Sequence, residues 1–190
     1  MSCMLKSGTG NGQFAHIDDH NRLYTKSINV NPVAHHSTWH KNSYEATFEV
    51  TLQGTSKTTV MYLYNSDNTS DLEIHNIIQS SNANLEVETC VNCTFSSGGA
   101  DVTPYNLNLG TSASPDITLK EGGSSGDLVV TGSNTINGLF LGAYAPATSE
   151  VQGGIIVTPK KSLCIQATGA ASDRVKVSII FAYHAAGTKL

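Results

Sequence analysis

Charge is scarce in this chain. Asp, Glu, Lys and Arg make up 14% of its 190 residues, and the formal net charge is −4. No block of basic residues occurs, whereas a nucleic-acid surface needs one to neutralise phosphates. Nucleic acid is therefore not an expected partner. No apolar run approaches the ~18 residues of a membrane-spanning helix, so no membrane partner is expected. The first ten residues, MSCMLKSGTG, lack the apolar core of a secretion signal. The expectation is a protein made and assembled in a cytoplasm. Cysteine is sparse too: Cys3, Cys90, Cys93 and Cys164 are too scattered for a disulfide-framework scaffold. Without a secretion signal, the glycosylation-like triplets at Asn68 and Asn92 are read as chance.

Catalytic signatures are also missing. There is no G-x-S-x-G, and the run Gly8-Thr9-Gly10-Asn11-Gly12 follows no strand, so it does not read as a phosphate loop. No long stretch carries a helical period, and a parallel α/β sheet would need helical crossovers. The reading is that the chain is not an enzyme and carries no cofactor.

What is present is a rhythm of short β-branched segments broken by Gly, Asn, Ser and Thr. Phe48, Val50 and Leu52 alternate with Thr47, Glu49 and Thr51, the pattern of a half-buried strand. Thr59–Tyr64 is apolar on both faces, as a central strand would be. Further strands are expected at Leu72–Ile78, Leu85–Val91, Tyr105–Leu109, Leu128–Thr131, Ile136–Leu141, Gly154–Val157 and Leu163–Ala167. The cleanest alternation is Val175, Val177, Ile179, Phe181 and Tyr183. Short strands at this spacing predict an all-β, antiparallel β-sandwich of jelly-roll type over residues 46–190. Residues 1–45 hold five of the seven histidines (His16, His20, His35, His36, His40) and read as an extended N-terminal arm or an opening hairpin. Within it, 14–17 and 22–28 are candidate short strands joined by a turn at 18–21.

Few residues invite chemistry. Cys90-Val91-Asn92-Cys93 is the one motif-like element. It could supply two of the four ligands of a structural zinc, or close a tight hairpin with Asn92 at positive φ, or simply place two unpaired thiols. Residues three apart on a straight strand point to opposite faces and cannot bridge. Apart from these weak metal candidates no metal site is expected. Glu86 and Glu88 share a strand face, most simply a solvated one. The loop carboxylates Asp67, Asp71, Asp101, Asp116, Glu121 and Asp127 offer one conceivable calcium site. Trp39, Tyr44, Tyr62, Tyr64, Tyr105 and Tyr144 would stack sugars if several shared an exposed face, but core packing is the commoner fate of strand aromatics.

Several segments together resemble one family. Leu5–Gly10, Phe14–Asp18 with Asn21-Arg22-Leu23, Trp39–Thr51, Met61–Asn65 with Asp71–Ile74, Tyr105–Ser112 and Val157–Leu163 are similar to segments of small virion structural proteins of tailed bacteriophages. Lys161 stands where those proteins commonly have glycine. The histidine-rich arm and the cysteines depart from the family pattern. The resemblance implies an oligomeric all-β component of a virion, assembled in the host cytoplasm.

The expected function is a capsid decoration or cement protein that stabilises the shell through subunit contacts. Its expected partners are itself, as a homotrimer or other homo-oligomer, and the major capsid or other virion proteins. Neck, tail or baseplate components and a host-surface carbohydrate-binding module are the alternatives. The arm residues Phe14, Ile17, Leu23, Tyr24 and Trp39 are the expected contact residues, because an arm strand can pair with a neighbour's open sheet edge.

Overall fold

The computed structural model describes residues 16–17, 23–24, 42–109, 114–123 and 127–185. The chain divides into two units, Met1–Asn31 and Pro32–Leu190. In the first unit, β1 (His16–Ile17) and β2 (Leu23–Tyr24) form an antiparallel ladder in which Ile17 faces Leu23. These two pairs fall within the expected strands at 14–17 and 22–28. Phe14 and Trp39 lie outside the described residues.

In the second unit the described residues form strands and turns and no helix. The long strands are β3 (Ser43–Thr51), β4 (Thr58–Asn65), β5 (Ser70–Ser81), β6 (Leu85–Val91), β12 (Asn134–Leu141), β13 (Ala147–Val157), β14 (Ser162–Thr168) and β15 (Arg174–Ala185). Between β6 and β12 lie the short strands β7 (Thr94–Ser97), β8 (Ala100–Asp101), β9 (Tyr105–Asn106), β10 (Ile117–Glu121) and β11 (Val129–Thr131). One sheet has five strands in the order β13-β5-β15-β3-β9, and another has six in the order β12-β6-β14-β4-β10-β8. Every pairing is antiparallel. β3 begins at Ser43, upstream of the expected boundary at 46. Tyr44 is buried and stacks on Phe181, ring centroids 5.6 Å apart, so this strand start belongs to the body.

The alternation read from the sequence explains the main core. Phe48 and Val50 of β3, Ile74 and Ile77 of β5, and Val177, Ile179 and Phe181 of β15 come from the five-stranded sheet. They share one buried cluster with Met61 and Leu63 of β4, Leu85 and Val87 of β6, and Leu163 and Ile165 of β14, all in the six-stranded sheet. Two antiparallel sheets thus bury their apolar faces together, an arrangement consistent with a β-sandwich.

The six-stranded sheet is covered on its other face as well. Tyr62, Cys90 and Cys164 form a second cluster there with Cys93 and Leu128, and Val130 packs against it. The cover is the small β7–β11 ladder. Phe95 of β7 packs on Tyr62 at 5.8 Å between centroids, and the Lys120 ammonium sits 5.2 Å from the Phe95 ring. This explains why Thr59–Tyr64 reads as apolar on both faces. On the same face of β6, Glu86 and Glu88 are half-buried, with Glu88 paired to Lys57, while Cys90 lies fully under the cover. A tight turn at Gly98-Gly99 carries the chain out of β7. Both residues have positive φ, and a side chain at Gly98 would meet the Asp127 carbonyl at 2.0 Å.

Cys93 forms a disulfide with Cys164, 71 residues along the chain, while Cys90 is free and buried. The bond fastens the first residue of the covering layer to the middle of β14. Nearby polar groups are satisfied across the same seam. Ser162 Oγ donates to the Cys93 carbonyl at 2.6 Å, and the Gln166 carboxamide donates to Thr59 Oγ1 at 3.3 Å. Asn92 does take positive φ, as the hairpin reading required, yet β6 and β7 do not pair. Cys93 instead reaches across the sheet, so neither a Cys90–Cys93 bridge nor a pair of free thiols is formed. With its sulfur in the disulfide, Cys93 is not a metal ligand.

One buried amide joins the two sheets. Asn65, at the end of β4, donates from Nδ2 to the carbonyls of Ser70 (2.7 Å) and Val157 (2.9 Å), which belong to β5 and β13. Its Oδ1 accepts from the Asp67 N–H at 3.2 Å, which shapes the turn into β5. Replacing it with an apolar residue strands two buried carbonyls, each costing about 1–3 kcal/mol. Asn65→Leu is therefore expected to lower unfolding free energy by about 2–6 kcal/mol in urea titrations. Reduction, or Cys93→Ser, is expected to cost about 2–4 kcal/mol through loss of a long closed loop, measured the same way with and without reductant.

Candidate functional site

Strand β12 is an edge. Among the described residues it pairs only with β6, and its other side offers backbone N–H and C=O groups to whatever approaches. Leu139 and Leu141 point inward to the core, while Phe140 between them points out and is 80% exposed. Ile136 occupies a bulge between Thr135 and Asn137 and is exposed as well. Phe140 lies opposite Glu86 in register and flanks a shallow depression of about 520 Å³ that also includes Asn84, Leu85 and Thr168.

The edge carries no charge. No Asp, Glu, Lys or Arg occurs between Asp127 and Glu150, a span that covers β11, β12 and the turn into β13. Natural sheet edges are usually blunted with lysine, proline or other charges. This one has a bulge but no charged side chain along the strand. Ile156 on β13, the edge of the other sheet, is exposed too. Sequence reasoning places Ile136–Leu141 on a strand and does not distinguish an edge from an inner position. The signal available was the uncharged run itself.

The sequence-derived candidates are dispersed. Ile17, Leu23 and Tyr24 lie in the β1–β2 ladder of the first unit. Tyr44 and Tyr62 are core residues, and Tyr64 is half-buried. Tyr105 and Tyr144 are the exposed tyrosines among the described residues, at 78% and 82%. They flank opposite edges of the five-stranded sheet, beside β3 and before β13, so they form no common platform. Tyr105–Leu109 is not the expected strand: only Tyr105–Asn106 pairs, and Leu109 is 95% exposed.

Four of the six loop carboxylates, Asp67, Asp101, Glu121 and Asp127, are engaged by separate donors. Asp101 accepts from Lys120 at 2.8 Å, Asp127 from the Gly99 N–H at 3.3 Å, and Glu121 accepts from the Glu49 N–H. Among the described residues no group of three or more His, Cys, Asp or Glu is arranged to hold a metal ion.

The strongest electrostatic perturbation fastens a loop. Asp67 accepts from the Tyr183 hydroxyl and from the N–H groups of Thr69 and Ser70, the latter at 2.8 Å. The tyrosine hydroxyl, then these N–H groups, hold its carboxyl well below the usual carboxylate range. Burial first, and then the bond to Asp67, push Tyr183 up to about 12. No protein-family model, no curated protein and no solved structure matches this chain.

The linkage has a definite sign. A tyrosine whose folded pKa lies above its ordinary 10.0 contributes stability that is full below pH 10 and is lost as pH rises through about 12. Asp67, with its folded pKa depressed, contributes stability that is present above the ordinary carboxylate range and is lost as pH falls through the folded value. Tyr183→Phe is expected to lower Tm at neutral pH. The gap between wild type and variant should then close as pH rises from 10 towards 12 in thermal melts.

Proposed function

We propose that this chain is a structural assembly protein of a virion, built as a jelly roll and joined to its neighbours through sheet edges. The pairing pattern supports the jelly-roll reading. β3 pairs with β15, β4 with β14, β5 with β13, and β6 with β12. That is one long antiparallel ribbon, with β6–β12 at its tip, rolled so that successive segments alternate between the two sheets. The eight-stranded jelly roll is wound in this way.

The observation that carries the functional reading is the open, uncharged β12 edge with Phe140 and Ile136 exposed. Between two negatively charged copies, an uncharged edge is where backbone pairing meets least repulsion. An open edge strand without charged side chains is a template for adding another strand, and here the run from Gly138 to Leu141, past the bulge, offers it. In this reading the body supplies the edge, and the arm residues Phe14, Ile17, Leu23, Tyr24 and Trp39 supply further contacts to neighbouring subunits. The assembly is a homotrimer or another closed homo-oligomer. It docks on the major capsid protein as a decoration or cement layer in the virion, put together in the host cytoplasm. A neck, tail or baseplate position would use the same edge, and copy number per particle separates the two.

Phe140→Asp is expected to shift the protein to a smaller species in sedimentation velocity, with dimer-level affinity reduced roughly thirtyfold or more, the scale of a lost aromatic anchor. The fold of the separated subunit should be kept, with an unchanged far-UV spectrum, because Phe140 is exposed in the single chain, while Tm loses its dependence on protein concentration. A variant that sediments as the wild type overturns the β12 contact. Removal of residues 1–41, which leaves β3 whole, tests the arm separately through docking on particles.

A further inference from the structure

Tyr144 is a costly residue at its position. Its φ is +57°, in the left-handed region that bulky side chains avoid. That conformation costs about 1–2 kcal/mol relative to glycine. The ring buries almost nothing in return, at 82% exposed. The turn is nevertheless held firmly: the Tyr144 N–H donates to the Ser81 carbonyl at 2.8 Å, and the Ala143 N–H donates to Asn84 Oδ1 at 2.9 Å. Strain at an exposed aromatic that no packing compensates points to something outside the chain.

The ring borders a groove on the outer face of the five-stranded sheet, with a volume of about 310 Å³. Strand register builds its floor. Lys176 lies opposite Glu49 on one side and Ser80 on the other, so the three form a row across β3, β15 and β5 that ends at Tyr144. Arg174 Nη1 lies 3.6 Å from Glu49 Oε1, and the Arg174 N–H donates to Asn82 Oδ1 at 2.6 Å. An anion entering here meets Glu49, and a cation meets Lys176 and Arg174. An apolar ligand finds a floor of polar side chains. A neutral polyhydroxyl ring suits both signs of charge, because its hydroxyls accept from ammonium and guanidinium and donate to carboxylate. The C–H face of such a ring also complements the electron-rich face of an aromatic. The volume is at the small end of ligand sites and fits one or two rings.

We propose that this groove binds a glycan, with one pyranose stacked on Tyr144 and its hydroxyls bonded to Glu49 and Lys176. The groove lies on the outer face of the five-stranded sheet, whereas Phe140 belongs to the edge of the six-stranded sheet, and the two share only the turn held by Asn84. The test uses the full chain in its own oligomeric state. A printed glycan array and saturation-transfer NMR with the methyl glycosides of glucose, galactose, mannose and N-acetylglucosamine supply the probes.

The expected result is saturation of the protons on one face of a bound pyranose. Tyr144→Gly should weaken binding at least tenfold while Tm stays level or rises, because the strain is relieved. Tyr144→Trp should retain binding, and Lys176→Ala should weaken it. No signal from any methyl glycoside together with an array at background overturns the proposal, as does Tyr144→Gly binding like the wild type. Neither failure touches the assembly reading, which sedimentation of Phe140→Asp decides.

Discussion

The carboxamide of Asn65 is buried where four chain segments converge. Its hydrogen bonds reach the start of β5, the end of β13 and the turn at Asp67, while its backbone pairs with Lys160 and Lys161. A sandwich of two sheets is held mainly by apolar contact, which has no direction. The sheets can slide on such a core until polar groups set the registration. Asn65 supplies that setting from within, because every atom of its amide is committed to a different segment. The Asp67–Tyr183 bond closes the same end from outside. Tyr183 belongs to β15, so the turn after β4 is tied to the last strand of the body.

The far face of the six-stranded sheet poses a different physical problem. Its strands carry Tyr62, Cys90 and Cys164, which must be kept from water, and no second large sheet covers them. The segment between β6 and β12 does so instead, with Leu128, Val130 and Phe95 as its apolar contacts. That segment contributes little core of its own. The disulfide to Cys164, the Ser162 bond to the Cys93 carbonyl and the glycine turn at 98–99 anchor it. Removal of the covalent anchor acts on this layer first, since the main core has no cysteine in it.

The antiparallel pairing places the main strand partners far apart in sequence. β3 meets β15, and β4 meets β14, across most of the body. Such topologies fold slowly, because loop-closure entropy is lost before the contacts form. They also leave true edges, unlike a closed barrel. The edge at β12 and the groove at Tyr144 are therefore properties of one architecture. The first exposes unpaired backbone, and the second is a turn that lifts a ring over the outer face of the neighbouring sheet.

The sequence by itself determined the class of structure and much of its core. Period-two alternation at Phe48–Leu52 and Val175–Tyr183 is a local signal, and it named the buried side of β3 and β15 correctly. The doubled apolar pattern of Thr59–Tyr64 marked a strand covered on both faces. Tertiary structure alone decided the partners. Cys93 looked to its near neighbour Cys90 in the sequence but bonds Cys164, because β6 and β14 lie side by side in the sheet. Phe140 reads as an ordinary strand residue, and Tyr144 only as one of several aromatics that would stack sugars if they shared an exposed face. Their exposure follows from β12 falling at an edge and from a left-handed turn, and neither strand order nor φ is encoded in the hydrophobic period. Periodicity reports which side of an element avoids water; which other element supplies the shelter is settled only when the strands pair and the sheets pack.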